Sequence, residues 1–417
     1  MNTQTLKHEV VEFEQIVERG CGMDVHKETV VATVSGTGIK QETRTFSTFT
    51  SSLIELKEWL KNLAVTHVAM ESTGVYWKPI FNILEEDFEI LLVNARHIKN
   101  VPGHKTDKKD SKWIAKLLLS GLLKGSFIPP KEIRELRDLF RYKRKLTGQV
   151  SSEKNRLQKI LEDTNIKLSS VVSDTFGVSA TKIIDAMLEG EQDVEKLVTL
   201  CHGRLEIKKE QLKEALVGNI TAHHKFMLRT IKESIFNIEK VIKKVEKQID
   251  KQTKDYQVEI NLLQSIPGVG KDTAQGIVAE IGVNMDIFPN EQHLASWAGM
   301  SPGNNESAGK KKSGRTTHGN KNLKNILVEA GWGASKTKNT YLRSKYESLV
   351  GRRGKKRALI ALGHKILCAA YFIIKNKEEY KELGADFLES KRKKNQVQSY
   401  LDKLKKLGVE IEIKKAA

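Results

Sequence analysis

At 417 residues the chain exceeds what one hydrophobic core supports, since cores stop growing near roughly 250–300 residues, so two or three domains are expected. A hydrophobic content of 39% with 29% charged residues is that of a soluble globular protein. The 71 Lys+Arg against 52 Asp+Glu leave a formal charge of +19, and the cations cluster (310–312, 352–357, 391–394), which excludes evenly spread charge and predicts a polyanionic partner, nucleic acid first.

Cys21, Cys201 and Cys368 are far apart and match no zinc or disulfide spacing, so a reducing, cytoplasmic compartment is expected. The N-terminus is polar and has no signal-peptide core. The most apolar segment, Ala358 to Ile374, is interrupted by His364 and Lys365 and is short for a bilayer, so it reads as a buried helix.

From Gly20 onward, three strands are predicted at Cys21–Val25, Thr29–Ser35 and Gln41–Phe46, broken by Lys27-Glu28 and by Gly36-Thr37-Gly38. A helix over Ser52–Leu63 follows, then a strand His67–Glu71, a helix Val75–Glu86, a strand Glu89–Val93 and a helix from about Asp107 to Leu123. Three antiparallel strands followed by alternating helix and strand describe an α/β, ribonuclease-H-like layout.

Four acids punctuate that layout. Asp24 lies late in the first strand, where a buried carboxylate costs several kcal/mol unless it is paired or metal-bound. Glu71 ends its strand, and sites in open α/β sheets form outside the carboxyl ends of parallel strands. Asp107 and Asp110, three apart, share a helix face with Ile114, Leu117 and Leu118, which must pack on the sheet. Oxygen ligands converging there would suit Mg²⁺ or Mn²⁺. Taken singly, Asp107 is equally explained as complementing a helix dipole, and Asp110 as a solvated salt-bridge residue.

After Pro129-Pro130 the chain turns to charged helix. Residues 131–163 carry an imperfect seam (Ile133, Leu136, Phe140, Val150, Leu157, Leu161), and Leu228 to Ile249 repeat apolar residues at spacings of three and four, as in a coiled coil. Between them, residues 166–220 are expected as short helices broken at Gly177, Gly190 and Gly203. The stretch Ser265-Ile-Pro-Gly-Val-Gly270 resembles the turn of a helix-hairpin-helix, in which Gly268, Gly270 and Lys271 would approach a phosphate at a helix N-terminus; a plain helical connector is the alternative. A glycine-punctuated loop follows, with Ser301, Ser307 and Ser313 beside Lys310, Lys311, Lys312 and Arg315. Serine among small residues and cations suits attack on a phosphodiester, but the residues alone do not separate the three serines. Arg352 and Arg353 extend the basic set. Residues 376–417, with Leu401, Leu404 and Leu407 among lysines, read as a basic helix.

The segments Gly22-Met-Asp-Val-His-Lys27, Met70-Glu-Ser-Thr-Gly-Val-Tyr76, Lys105-Thr-Asp-Lys-Lys-Asp110, Ser265–Gly270 and Gly299–Gly309 occur in the order found in DEDD-type insertion-sequence transposases. The chain resembles that family, which includes the Piv invertases and the bridge-RNA-guided recombinases. The resemblance implies a ribonuclease-H-like, resolvase-like domain over 1–128 carrying the tetrad Asp24, Glu71, Asp107 and Asp110. It further implies a coiled-coil linker with an insert over 129–260, and a mainly helical transposase domain over 261–375 whose nucleophile falls on Ser307. A basic tail, 376–417, would follow. Implied partners are donor and target DNA, a structured noncoding guide RNA, and copies of the chain in dimers to tetramers, with no membrane. Two other readings remain open: a metal-dependent Holliday-junction-resolvase-like nuclease without a covalent intermediate, and a silent nucleic-acid-binding scaffold.

Overall fold

The structure is a computed structural model that describes residues 15–72, 74–94, 110–303, 305–313 and 315–408. Two compact units meet at the Ile128–Pro129 junction.

The first unit is built on a five-stranded sheet in the order β3-β2-β1-β4-β5. Strands β1 (Arg19–Val25), β2 (Thr29–Gly36) and β3 (Ile39–Ser47) pair antiparallel, while β4 (His67–Glu71) and β5 (Glu89–Val93) join β1 in parallel. This mixed α/β arrangement is compatible with a ribonuclease-H-like domain. Alternation sorts the side chains, because successive residues of a strand point to opposite faces. Cys21, Met23, Val25, Val68 and Met70 bury themselves with Leu53, Leu56 and Leu60 of helix α1 (Thr50–Asn62) and with Ile80 and Leu84 of α2 (Trp77–Leu84). α1 starts two residues earlier than its serine implied, because Ser52 Oγ instead accepts a hydrogen bond from Ser47 N at 3.1 Å.

The opposite face is covered by α3 (Asp110–Leu119), whose Ile114, Leu117 and Leu118 pack on Ala69 and Val93. The helix comes so close that a Cβ on Gly22 would lie 2.2 Å from Ala115 N and 2.3 Å from Ser111 O. Those are backbone atoms and cannot turn aside. Gly22→Ala should therefore lift α3 off the sheet and cost about 1–3 kcal/mol, as overpacking does. Urea unfolding checks it, and a loss below a few tenths of a kcal/mol would contradict the contact.

In the second unit, α4 (Lys131–Asp163) runs antiparallel to α9 (Ala222–Gln252): Lys143 faces Glu246 at 3.0 Å near one end, and Asp163 meets His224 at 3.1 Å near the other. At 33 and 31 residues, each helix is about 50 Å long at 1.5 Å per residue. Leu228, Ile231, Ile235, Val245 and Ile249 are buried at the expected spacings, and Leu146 joins the opposing seam. Between the two helices lie α5 (Leu168–Val171), α6 (Val178–Glu189), α7 (Val194–Thr199) and α8 (Lys209–Leu216), which share one apolar cluster with the stalk. Gly190, at φ 111°, ends α6.

The chain then forms a helical bundle: α10 (Gln257–Gln264), α11 (Lys271–Ile281), α12 (Glu291–Trp297), α13 (Lys321–Ala334), α14 (Tyr341–Arg353) and α15 (Lys355–Asn376). By length and composition α15 could cross a membrane, yet Leu362, Ile366, Leu367 and Ala370 are buried in the bundle, so it is a core helix. Residues 377–386, grouped by the sequence with the basic tail, are pinned to the bundle instead: Tyr380 N donates to Ser265 Oγ at 2.8 Å and Tyr341 N to Glu382 Oε1 at 2.7 Å. Helix α16 (Phe387–Lys406) follows and buries none of its residues.

Candidate active site and nucleic-acid interface

Gly22 pairs with Ala69 across the parallel β1–β4 ladder, and Met23 with Met70. One step further along the same strands stand Asp24 and Glu71. Both lie on the face covered by α3, each two residues beyond a residue on that face. Adjacent strands are about 4.8 Å apart, so these two carboxylates emerge side by side at the carboxyl edge of the sheet. Asp24 is partly exposed and accepts, through Oδ2, a hydrogen bond from His26 Nε2 at 3.1 Å.

Helix α3 brings the third acid. It runs against β1 in the opposite direction, since a Cβ on Gly20 would meet Leu118 and one on Gly22 would meet Ser111 and Ala115. Ser111 Oγ is hydrogen-bonded to Thr33 Oγ1 at 2.9 Å, which anchors that first turn beside β1 and β2. Continuing this register toward Asp24 leads to Asp110, the first residue of α3. Asp107 lies outside the described residues, and among the described residues no group of three or more acids, histidines or cysteines forms a ready metal cluster. The donor chemistry nonetheless fits a hard divalent cation: adjacent carboxylates with solvent access at a sheet edge, one of them buttressed by a histidine.

In the second unit, the polar loop expected around the candidate serine is a β-hairpin. Strand β6 (Asn305–Ser307) pairs with β7 (Lys310–Ser313), with Ser307 opposite Lys310. The two-residue turn has Ala308 at φ 50° and Gly309 at φ 74°, the left-handed pair that matches strand twist in tight hairpins. Ser307 therefore flanks an exposed turn, whereas Ser301 sits at the hairpin's foot, where its carbonyl accepts from Thr317 N at 3.1 Å. The loop was legible as glycine-rich; its pairing was not, because lysine runs carry little strand signal. The side chains of Ser307, Lys311 and Lys312 lie outside the described residues.

At the α10–α11 turn, Gly268 has φ 85°, and a Cβ there would fall 2.3 Å from Ala334 N of α13. Its glycine is thus explained by packing. Gly270 is exposed at the start of α11, with open space around it. Lys271, read as a phosphate ligand, pairs with Asp250 at 2.8 Å, while Asp272 pairs with Lys143. The charges of this first helical turn are directed to the stalk. Arg315 and Arg353, distant in sequence, line one cavity together with Lys345 and Lys365, two cations the sequence had not singled out. Lys310 and Arg352 are exposed.

An α/β domain with paired carboxylates at its sheet edge, joined to a strongly cationic helical unit, is the make-up of an enzyme that processes nucleic acid. Residues 21–166 match the DEDD transposase model of the IS110 type, described as a transposase, and residues 260–347 match the model described as transposase of the IS116/IS110/IS902 family. No curated protein matches the chain. The chain belongs to the IS110 family of DEDD transposases, and it is an enzyme of DNA transposition and recombination with DNA as its substrate.

Proposed function

We propose that this transposase cuts and rejoins DNA through Ser307, assisted by a divalent cation, Mg²⁺ or Mn²⁺, held by Asp24, Glu71, Asp107 and Asp110. The observation that carries the cation's part is the side-by-side emergence of Asp24 and Glu71 at the sheet edge toward which α3 directs Asp110. When bound, such an ion polarises phosphate oxygens and lowers the barrier to displacement at phosphorus. Ser307 Oγ gives up its proton and bonds to phosphorus as the P–O bond to one strand end breaks, which leaves that strand end as a free hydroxyl. Attack by a strand hydroxyl on the phosphoserine reverses the step and returns the serine. Placement beside an exposed hairpin turn, next to Lys310, supports the assignment over Ser301.

Within this reading, residues 1–128 form a ribonuclease-H-like catalytic domain, and 129–260 a coiled-coil linker whose two helices hold the insert. Residues 261–375 form the transposase domain with a helix-hairpin-helix at Ser265–Gly270, and 376–417 a basic extension whose first part, 377–386, is held on the bundle. The enzyme acts in the cytoplasm as a dimer to tetramer, with a structured noncoding RNA pairing to donor and target DNA.

The test is a denaturing gel of labelled insertion-end DNA incubated with Mg²⁺ and the structured noncoding RNA. A protein–DNA adduct is expected with wild type, Ser301→Ala and Ser313→Ala, and none with Ser307→Ala. Cleavage with no adduct in any sample would replace the covalent route with a metal-only nuclease.

A further inference from the structure

One cavity in the helical unit, of about 880 Å³, lies between the foot of the β6–β7 hairpin and the corner where α14 passes into α15. Its apolar part is formed by Met300, Leu349, Ile360 and Ala361. Pro302, Thr316 and His364 also line it, and the other lining residues are cationic. Arg315 and Lys324 stand on one side, and Lys345 and Arg353 of α14 on another. Helix α15 contributes Lys356, Arg357 and Lys365.

Among the described residues, no Asp or Glu lines the cavity. Helix α15 contains no acid, and the single carboxylate of α14, Glu347, is paired with Arg343 at 2.9 Å. Burial, followed by the nearby cations Lys365, Arg392, Arg352 and Lys391, pushes the Lys345 amine below its usual range. Like charges gathered in one cavity raise the free energy of the empty site, and an anion lowers it.

Size and shape select the anion. Ligand cavities of roughly 300–1,000 Å³ hold molecules of drug size. Such a cavity takes one or two nucleotides, whereas a duplex, whose major groove alone is about 12 Å wide, can only lie across its mouth. An apolar floor beneath a cationic wall matches a base with its phosphates, and stacking of a base on such a floor is tolerant of sequence.

We infer that this cavity binds an unpaired nucleic-acid strand, with phosphates on Lys345, Arg357 and Lys365 and a base laid on Ile360 and Ala361. The inference rests on nucleic acid being the substrate, and not on Ser307 being the nucleophile.

The experiment measures binding of fluorescein-labelled single-stranded and duplex oligonucleotides of about 20 nucleotides across a salt series, with no cleavage step. Lys345→Gln/Arg357→Gln should weaken single-strand binding at least tenfold and flatten its salt dependence by about 1.4, at about 0.7 per phosphate contact. Duplex affinity should stay within about twofold. Ala361→Trp, which fills the floor and leaves the charge unchanged, should weaken the single strand alone. Equal losses on both nucleic acids, or no loss on either, would overturn the inference. So would an equal loss in the charge-conserving Lys345→Arg/Arg357→Lys protein, which would mark the effect as structural. Because binding alone is read, a failed adduct experiment leaves this result interpretable.

Discussion

Asp24→Asn is expected to lower strand cleavage roughly a thousandfold while leaving the fold intact. Several kcal/mol of charge stabilisation come from a catalytic cation, and about 4 kcal/mol corresponds to that factor. The fold should survive because Asp24 and Glu71 are like charges on neighbouring strands, an arrangement that costs free energy in the metal-free protein. The substitution relieves that repulsion, and an asparagine can still meet His26, whose ring sits at 3.1 Å. The metal-free unfolding midpoint should thus stay level or rise. The shift that Mn²⁺ produces in wild type, about 2.7 kcal/mol at a hundredfold excess over its Kd, should disappear. Full activity in the variant, or an unchanged Mn²⁺ shift, would remove this acid from the cation site.

Glu280→Ala should destabilise the helical unit by about 3–5 kcal/mol, the usual cost of stranding a buried charge. Glu280 is fully buried near the end of α11, and Arg141 grips it with two bonds, Nε to Oε1 at 2.9 Å and Nη2 to Oε2 at 2.8 Å. Asn320 Nδ2 donates to Oε2 at 2.6 Å. Arg137 lies 3.5 Å from the same oxygen and also donates to the Glu280 carbonyl at 2.6 Å, satisfying the last turn of α11. Burial already pulls the Arg137 guanidinium down to about 10, with Glu280 opposing that shift. Alanine would leave Arg137 desolvated without its carboxylate. It would also release Asn320, which caps α13 by accepting from Asn322 N and Leu323 N at 3.1 Å each. A midpoint fall of roughly 10 °C follows at about 2–4 °C per kcal/mol. Glu280→Gln, which keeps the acceptor for Asn320, should lose less. A drop below about 2 °C in the alanine variant would show that the network is not holding the stalk to the bundle.

Local pattern carried much of this fold. The strands β4 and β5 and the helix 131–163 follow directly from apolar runs and their breaks, and the α9 seam is buried where spacings of three and four put it. That Asp24 and Glu71 share one face comes instead from the parallel register of β1 and β4. The hairpin at Ser307 was missed because its strands are too short and too charged to announce themselves. The packing of Gly268 against α13 has no local signal, because Ala330 and Ala334 lie more than sixty residues further on.

By itself, the sequence determined the α/β layout followed by long helices, the excess of cations, and the ordered motifs that mark an IS110-family transposase. Those properties depend on neighbours along the chain, where periodicity and turn chemistry act. Tertiary structure alone decided that α3 presses on Gly22, that Glu280 meets arginines some 140 positions away, and that Arg315 and Arg353 share one cavity. Each of these depends on which surfaces bury one another, and a pattern of three or four residues holds no record of a partner so far along the chain.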